Sequence, residues 1–183
     1  MPKIFLLNKP FGVVSQFSGN IRAETLASLI DQKGYYPAGR LDKDSEGLLI
    51  LTNDGRLQSQ ITNPRFKLGK TYLAQVENEI SPEAIALLQQ GILLNDGLTK
   101  PAIINRICQP TNIWNRIPPI RERKSITTSW IRITIYEGRN RQIRRMTAAV
   151  GFPTLRLIRI AIGDWRLENL LPGQSIQKEV DYI

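Results

Sequence analysis

Apolar residues fall in short blocks along this chain, each closed by a turn former, and the spacing inside each block separates strands from helices. Residues 3–7 carry Ile4, Phe5, Leu6 and Leu7 and predict a strand. Residues 12–15 predict a second strand, set off by Lys9-Pro10 because proline supplies no ladder donor. Residues 25–31 place Leu26, Leu29 and Ile30 on one face of a short helix. Residues 48–52 are apolar throughout and predict a buried strand, ended by the turn Asn53-Asp54-Gly55. A helix over 56–62 and an alternating strand over 71–76 follow. Ser81 as N-cap, Pro82 at the first helical position and Gly91 as C-cap bound a further helix ending at Gln90.

The second half repeats the pattern. Residues 129–136 alternate as a strand, and 140–150 read as a helix stopped by Gly151 and Pro153, with Ile143, Met146 and Val150 on one face. Residues 155–162 and 175–180 supply the last strands. Strands and helices do not alternate regularly enough for a doubly wound fold, so the expected class is α+β, a mixed and mainly antiparallel sheet with packed helices and loops. At 183 residues one domain over 1–183 is expected, with two subdomains flanking a cleft as a variant of that reading.

Charge and composition narrow the function. Twenty-five Lys and Arg against sixteen Asp and Glu give +9, which favours a polyanionic partner through phosphate contacts. The basic residues cluster: Arg116, Arg121, Arg123 and Lys124 flank Pro118-Pro119 beside Trp114, and Arg139, Arg141, Arg144 and Arg145 crowd a second stretch. The competing view of such runs is a solvated surface. No apolar run approaches the ~18 residues that cross a bilayer, and no signal peptide is apparent, so a cytoplasmic protein without a membrane partner is expected. The chain has no histidine and a single cysteine, Cys108, so neither the usual zinc sites nor an intrachain disulfide is expected, and no cofactor is called for.

With so few reactive groups, a carboxylate is the leading candidate. Asp42, Asp44 and Glu46 alternate ahead of Gly47, which imitates the opening of a calcium loop, but Asn53 stands where the bidentate glutamate belongs. Asp42 taken alone reads as a turn aspartate capping local amides. Arg144 changes that reading. It stands about 100° round the helix from Ile143, at the edge of the buried face, where a cation needs an anionic partner, and Asp42 is the candidate partner that it would orient.

Taken together, Asn8-Lys9-Pro10-x-Gly12, Gly39-Arg40-Leu41-Asp42, Lys70-Thr71-Tyr72 and the stretch from Glu137-Gly138-Arg139-Asn140 to Met146 resemble, in order and rough spacing, the successive motifs of the RsuA-type pseudouridine synthases. The resemblance implies a pseudouridine synthase fold with its active-site cleft across the sheet. It also implies an isomerisation of RNA uridine in which the N1–C1′ bond breaks and a C5–C1′ bond forms, with Asp42, Tyr72 and Arg144 as the catalytic residues. Asp42 would attack C1′, add to C6 or assist at C2′. Tyr72 would stack on the flipped uracil, Arg40 would fill the space it vacates, and Lys70 would support the pocket. Many relatives carry an S4-like domain ahead of the catalytic one, and none is expected here. RNA contact is then expected from Trp114, Arg116, Arg121, Arg123, Lys124, Arg139 and Arg141.

The stretches 118–130 and 151–159 look most like a family member that modifies 23S rRNA, so 23S rRNA or a large-subunit assembly intermediate is the expected partner of a monomeric enzyme. One rival is a catalytically silent RNA-binding assembly protein. Another is a glycoside or nucleoside hydrolase, which would need Asp44 or Glu46, both expected in the turn, as its second carboxylate.

Overall fold

The computed structural model describes residues 1–183. In chain order the elements are β1 (Lys3–Lys9), β2 (Tyr36–Pro37), β3 (Glu46–Thr52), α1 (Gly55–Thr62), β4 (Lys70–Glu77), α2 (Pro82–Gln90), β5 (Leu93–Leu94), β6 (Gly97–Leu98), β7 (Ile103–Ile107), β8 (Thr128–Ile135), α3 (Gln142–Ala149), β9 (Thr154–Ile162), β10 (Trp165–Arg166) and β11 (Ser175–Glu179). The α+β class with a mainly antiparallel sheet is borne out. The chain divides into two compact units, one of Met1–Leu68 with Arg159–Ile183 and one of Gly69–Ile158.

In the first unit β1 lies between β11 and β3, antiparallel to both, and β2 pairs with the end of β3. Every residue of β3 is buried. Four consecutive aliphatic side chains, Leu48 to Leu51, are each shut off from water, which contributes ~1.5–3 kcal/mol apiece and explains why this strand shows no polar alternation. Helix α1 opens where Asp54 Oδ1 accepts from Leu57 N at 2.8 Å, and Leu57 and Ile61, four apart, enter the core.

The second unit is built on the antiparallel order β4–β8–β7. Ser81 Oγ caps α2 by accepting from Ala84 N at 3.2 Å, Pro82 opens it, and Gly91 ends it with φ 106°. Ala84 and Leu88 are its buried pair. Ile143 and Met146 of α3 are buried as the spacing predicts, while Val150 is half-buried just beyond the helix.

Two expected elements are replaced. Residues 12–15 form no strand, because the Lys9 ammonium donates to both Pro10 O and Val13 O and curls the chain into a loop at Gly12, whose φ is 87°. Residues 25–31 do not form one helix but follow two 3₁₀ turns, Arg22–Glu24 and Leu26–Ser28, separated at Thr25, whose backbone is extended. No side chain caps either turn, so nothing offsets the cost of nucleating an α-helix. Of the expected face, Leu26 and Ile30 are buried and Leu29 is half-buried against the same cluster. The strand over Ile103–Ile107 and the two-residue pairs were not anticipated, being too short to show a period.

Candidate active site

Asp42 sits between residues whose backbones are tied down on both sides. The buried Ser15 Oγ donates to Leu41 O at 2.7 Å and accepts from Leu41 N at 2.9 Å. The Arg159 guanidinium donates to Arg40 O at 3.4 Å, Gly12 N donates to Lys43 O at 2.8 Å, and Ser45 N closes a turn onto Asp42 O at 3.0 Å. None of these bonds uses the Asp42 side chain, which is half-buried. The loop therefore presents one carboxylate from a backbone that needs no adjustment to hold it. Arg40 next to it is exposed, with its guanidinium 3.5 Å from Gln16 Oε1.

A charged layer lies with this loop. Lys9, at the end of β1, is fully buried, and its ammonium reaches Val13 O at 2.6 Å and Pro10 O at 2.8 Å. Burial lowers its pKa from 10.5 to about 8, opposed by the carboxylates of Glu46, Asp44 and Asp42 and reinforced by Arg159. Glu46 is 1% exposed and begins β3 rather than lying in the turn, and Asp44 is half-buried. Arg159, 3% exposed, anchors itself on Leu48 O at 2.8 Å.

The depressed Lys9 pKa carries a pH dependence. Between about 8 and 10.5 the unfolded chain binds the proton and the folded chain does not, so folding stability rises with pH across that window. At ~1.4 kcal/mol per pH unit the rise from this group has a ceiling of ~3 kcal/mol. Denaturant unfolding of wild type and Lys9→Met, followed from pH 7.5 to 10.5, should show the rise only in wild type. Parallel curves would remove Lys9 as its source.

The second unit holds the other residues singled out in the sequence. Tyr72 is buried on β4, opposite Ile133 of β8, and Lys70 opens the same strand. The Lys70 ammonium lies 3.8 Å from the point a Cβ would occupy at Gly138, an ordinary contact distance. The turn leading into α3 is organised by Glu137. One of its oxygens accepts from Lys100 N and from Gln142 Nε2, both at 2.8 Å, and the other lies 3.3 Å from Arg139 Nε. Gln142 Oε1 in turn accepts from Arg139 N at 3.1 Å, and Arg141 adopts the left-handed conformation at φ 48° to start the helix. This network replaces an N-cap side chain, and it is why the helix begins at Gln142 rather than at Asn140.

Helix α3 separates its arginines. Arg144 is half-buried, with Nη1 3.5 Å from Thr154 O. Arg145 makes a two-pronged contact with Asp96 at 2.8 and 3.1 Å, which holds the Asp96 carboxyl below its usual pKa. Arg139 donates to Gly97 O and Leu98 O at 2.9 and 2.6 Å. The second basic cluster is thus partly spent on the β5–β6 hairpin, whereas Arg141 is exposed. In the loop between β7 and β8, Arg121, Arg123 and Lys124 are exposed, with Arg123 3.5 Å from Glu77. Trp114 and Arg116 are half-buried. Arg156 donates to Trp114 O at 2.9 Å with its guanidinium 5.8 Å from the indole, and Arg116 donates to Pro118 O at 2.8 Å.

Lys9, Ser15, Glu137, Gln142 and Arg159 were not singled out from the sequence. Three of them had a usable signal, since Arg159 lies inside an apolar strand, Lys9 closes one, and Lys9 and Glu137 both belong to motifs. A charge in such a place must be hydrogen-bonded or paired.

The chain matches the RNA pseudouridylate synthase family over residues 3–149. It is 53% identical over 171 residues to the ribosomal large subunit pseudouridine synthase E of Xanthomonas axonopodis pv. citri, covering 92% of this chain and 90% of that one. It is 51% identical over 172 residues to the enzyme of the same name from Vibrio parahaemolyticus, covering 94% and 72%. A solved pseudouridylate synthase structure superposes with a TM-score of 0.78 at 32% identity, covering 98% of this chain and 71% of that one. Matches of this extent, added to the ordered motifs and the clamped Asp42 loop, place the chain in the RNA pseudouridylate synthase family.

Proposed function

We propose that the protein converts a uridine of 23S rRNA to pseudouridine, acting as a cytoplasmic monomer on free RNA or on an assembly intermediate of the large subunit. The relatives at 51–53% identity bear large-subunit names, and the +9 charge suits an RNA substrate. The observation that carries the chemistry is the Asp42 loop, whose flanking residues are fixed by Ser15, Gly12 and Arg159 while the carboxylate stays half-buried.

The N1–C1′ bond of the extruded uridine breaks, the uracil turns, C5 joins C1′, and the C5 proton is lost as N1 gains one. No oxidant or donor enters the balance. Asp42 is the carboxylate that meets the nucleotide, Tyr72 stacks on the uracil and takes part in removing the C5 proton, and Arg144 orients Asp42. Arg40 takes the place of the flipped nucleotide, and Lys70 supports the base. Arg121, Arg123 and Lys124 meet phosphates, joined by Arg116, Arg139 and Arg141, with Trp114 available to stack. A silent RNA-binding protein would have no need of a carboxylate at its anionic ligand, where that charge weakens binding.

The test is incubation with unmodified 23S rRNA carrying tritium at uracil C5. Tritium release, followed by mapping of the modified position, is expected. Binding without release would favour the silent protein.

A further inference from the structure

The first unit contains a hollow of about 320 Å³ lined mainly by residues from 27–36, together with Phe17 and Arg22, and distinct from the Asp42 loop. Its floor is Phe17, packed against the buried cluster of Leu26, Ile30 and Tyr35. Its wall is Tyr36, which is 60% exposed although it lies in a strand. The two rings meet edge to face, with centroids 6.5 Å apart at 83°.

This wall is rigid. Tyr36 stands opposite Thr52, Pro37 O accepts from Gln58 Nε2 at 2.9 Å, and Ala38 N donates to Ile50 O at 2.7 Å. The rim carries Arg22, Lys33 and Asp31, with Arg22 fixed by donation to Ala27 O at 2.8 Å. Folding alone does not require an aromatic ring held out in water beside two cations.

The lining selects among ligands. Asp31 on the rim offsets one of the two cations, so the rim does not single out a phosphate, and its charges oppose a purely apolar group. A flat ring with a polar edge satisfies both, because its face stacks on Tyr36 while Arg22, Lys33 and Asp31 offer donors and an acceptor to its edge. The hollow also adjoins the candidate site. Gln16, next to Phe17, lies 3.5 Å from the Arg40 guanidinium, and Ser15 holds Leu41.

We propose that this hollow receives a second nucleobase of the RNA substrate, a neighbour of the uridine that meets Asp42. The proposal rests on the RNA reading above. A stacked neighbour would hold the strand in its splayed conformation and set the sequence context in which a uridine is accepted.

Filter binding of unmodified 23S rRNA to wild type, Tyr36→Ala and Tyr36→Phe tests it. Loss of one base stack predicts roughly 10-fold weaker binding for Tyr36→Ala and near wild-type binding for Tyr36→Phe, with Tyr36→Phe melting as wild type and Tyr36→Ala within about 4 °C of it, the cost of its edge contact with Phe17. In parallel, Asp42→Asn protein is crosslinked to the same RNA by short-wavelength ultraviolet light, which requires no particular base, and adducts are expected on the peptide containing Tyr36. Unchanged binding by Tyr36→Ala, equal loss in both variants, or adducts confined to other peptides would each overturn the proposal. Tritium release by wild type on this RNA is read separately, so a failed hollow and a failed enzymatic assignment give different results.

Discussion

Asp42→Asn is expected to lose pseudouridine formation by at least ~10³-fold while holding 23S rRNA as tightly as wild type or more so. The size follows from what the substitution removes, since losing a catalytic carboxylate costs ~10²–10⁴ for proton transfer alone and more where a covalent bond is made. Asparagine keeps the shape and removes the charge. The loop should survive, because Ser15, Gly12 and Arg159 hold its backbone without the Asp42 side chain. Removing a negative charge from an RNA-facing loop reduces repulsion, so affinity should not fall. Single-turnover tritium release and filter binding on the same RNA separate the two effects. Turnover within about tenfold of wild type would refute the role of Asp42.

Gly47→Ala should be the most damaging single-methyl change in the first unit. Gly47 lies in β3 opposite Lys9 of β1, with φ 103°. A Cβ there would fall 2.2 Å from Arg159 O and 2.8 Å from Arg159 N. Those are backbone atoms, so relief requires Arg159 to move, which pulls its guanidinium from Leu48 O and Arg40 O and loosens the Asp42 loop. Strain at a left-handed position adds to the overlap. A loss on the order of 4–5 kcal/mol follows, lowering the melting temperature by about 10–15 °C in a chain of this size. Gly55→Ala is the control, since nothing lies within 4 Å of its Cβ position at the start of α1. It should leave stability unchanged or raise it by up to ~1 kcal/mol. Similar melting temperatures for the two variants would show that β3 can shift away from Arg159 at little cost.

Some features were legible in the chain and others were not, for physical reasons. Leu48 to Leu51 announce a buried strand because four adjacent aliphatic residues have no face to offer water. Ser81-Pro82 and Gly91 announce the ends of α2 because capping and left-handed backbone are local properties. Asp42 stood out because reactive groups are scarce and because it falls within the ordered motifs, whereas its half-burial in a tied-down loop is visible only in the folded chain. Residues 12–15 were misread because their conformation depends on the Lys9 ammonium, a bond whose value comes from burial and not from spacing.

Sequence by itself determined the α+β class, the family, the helix faces and the basic character of the chain, since each follows from period, local caps or motif order. Tertiary structure alone decided that Lys9 is buried near three carboxylates and Arg159, that Ser15 clamps Leu41, and that Arg139 and Arg145 are engaged by the β5–β6 hairpin. The physical reason is range. Propensity and patterning act over a few residues, whereas desolvation and charge pairing depend on groups that are far apart along the chain and meet only when it folds.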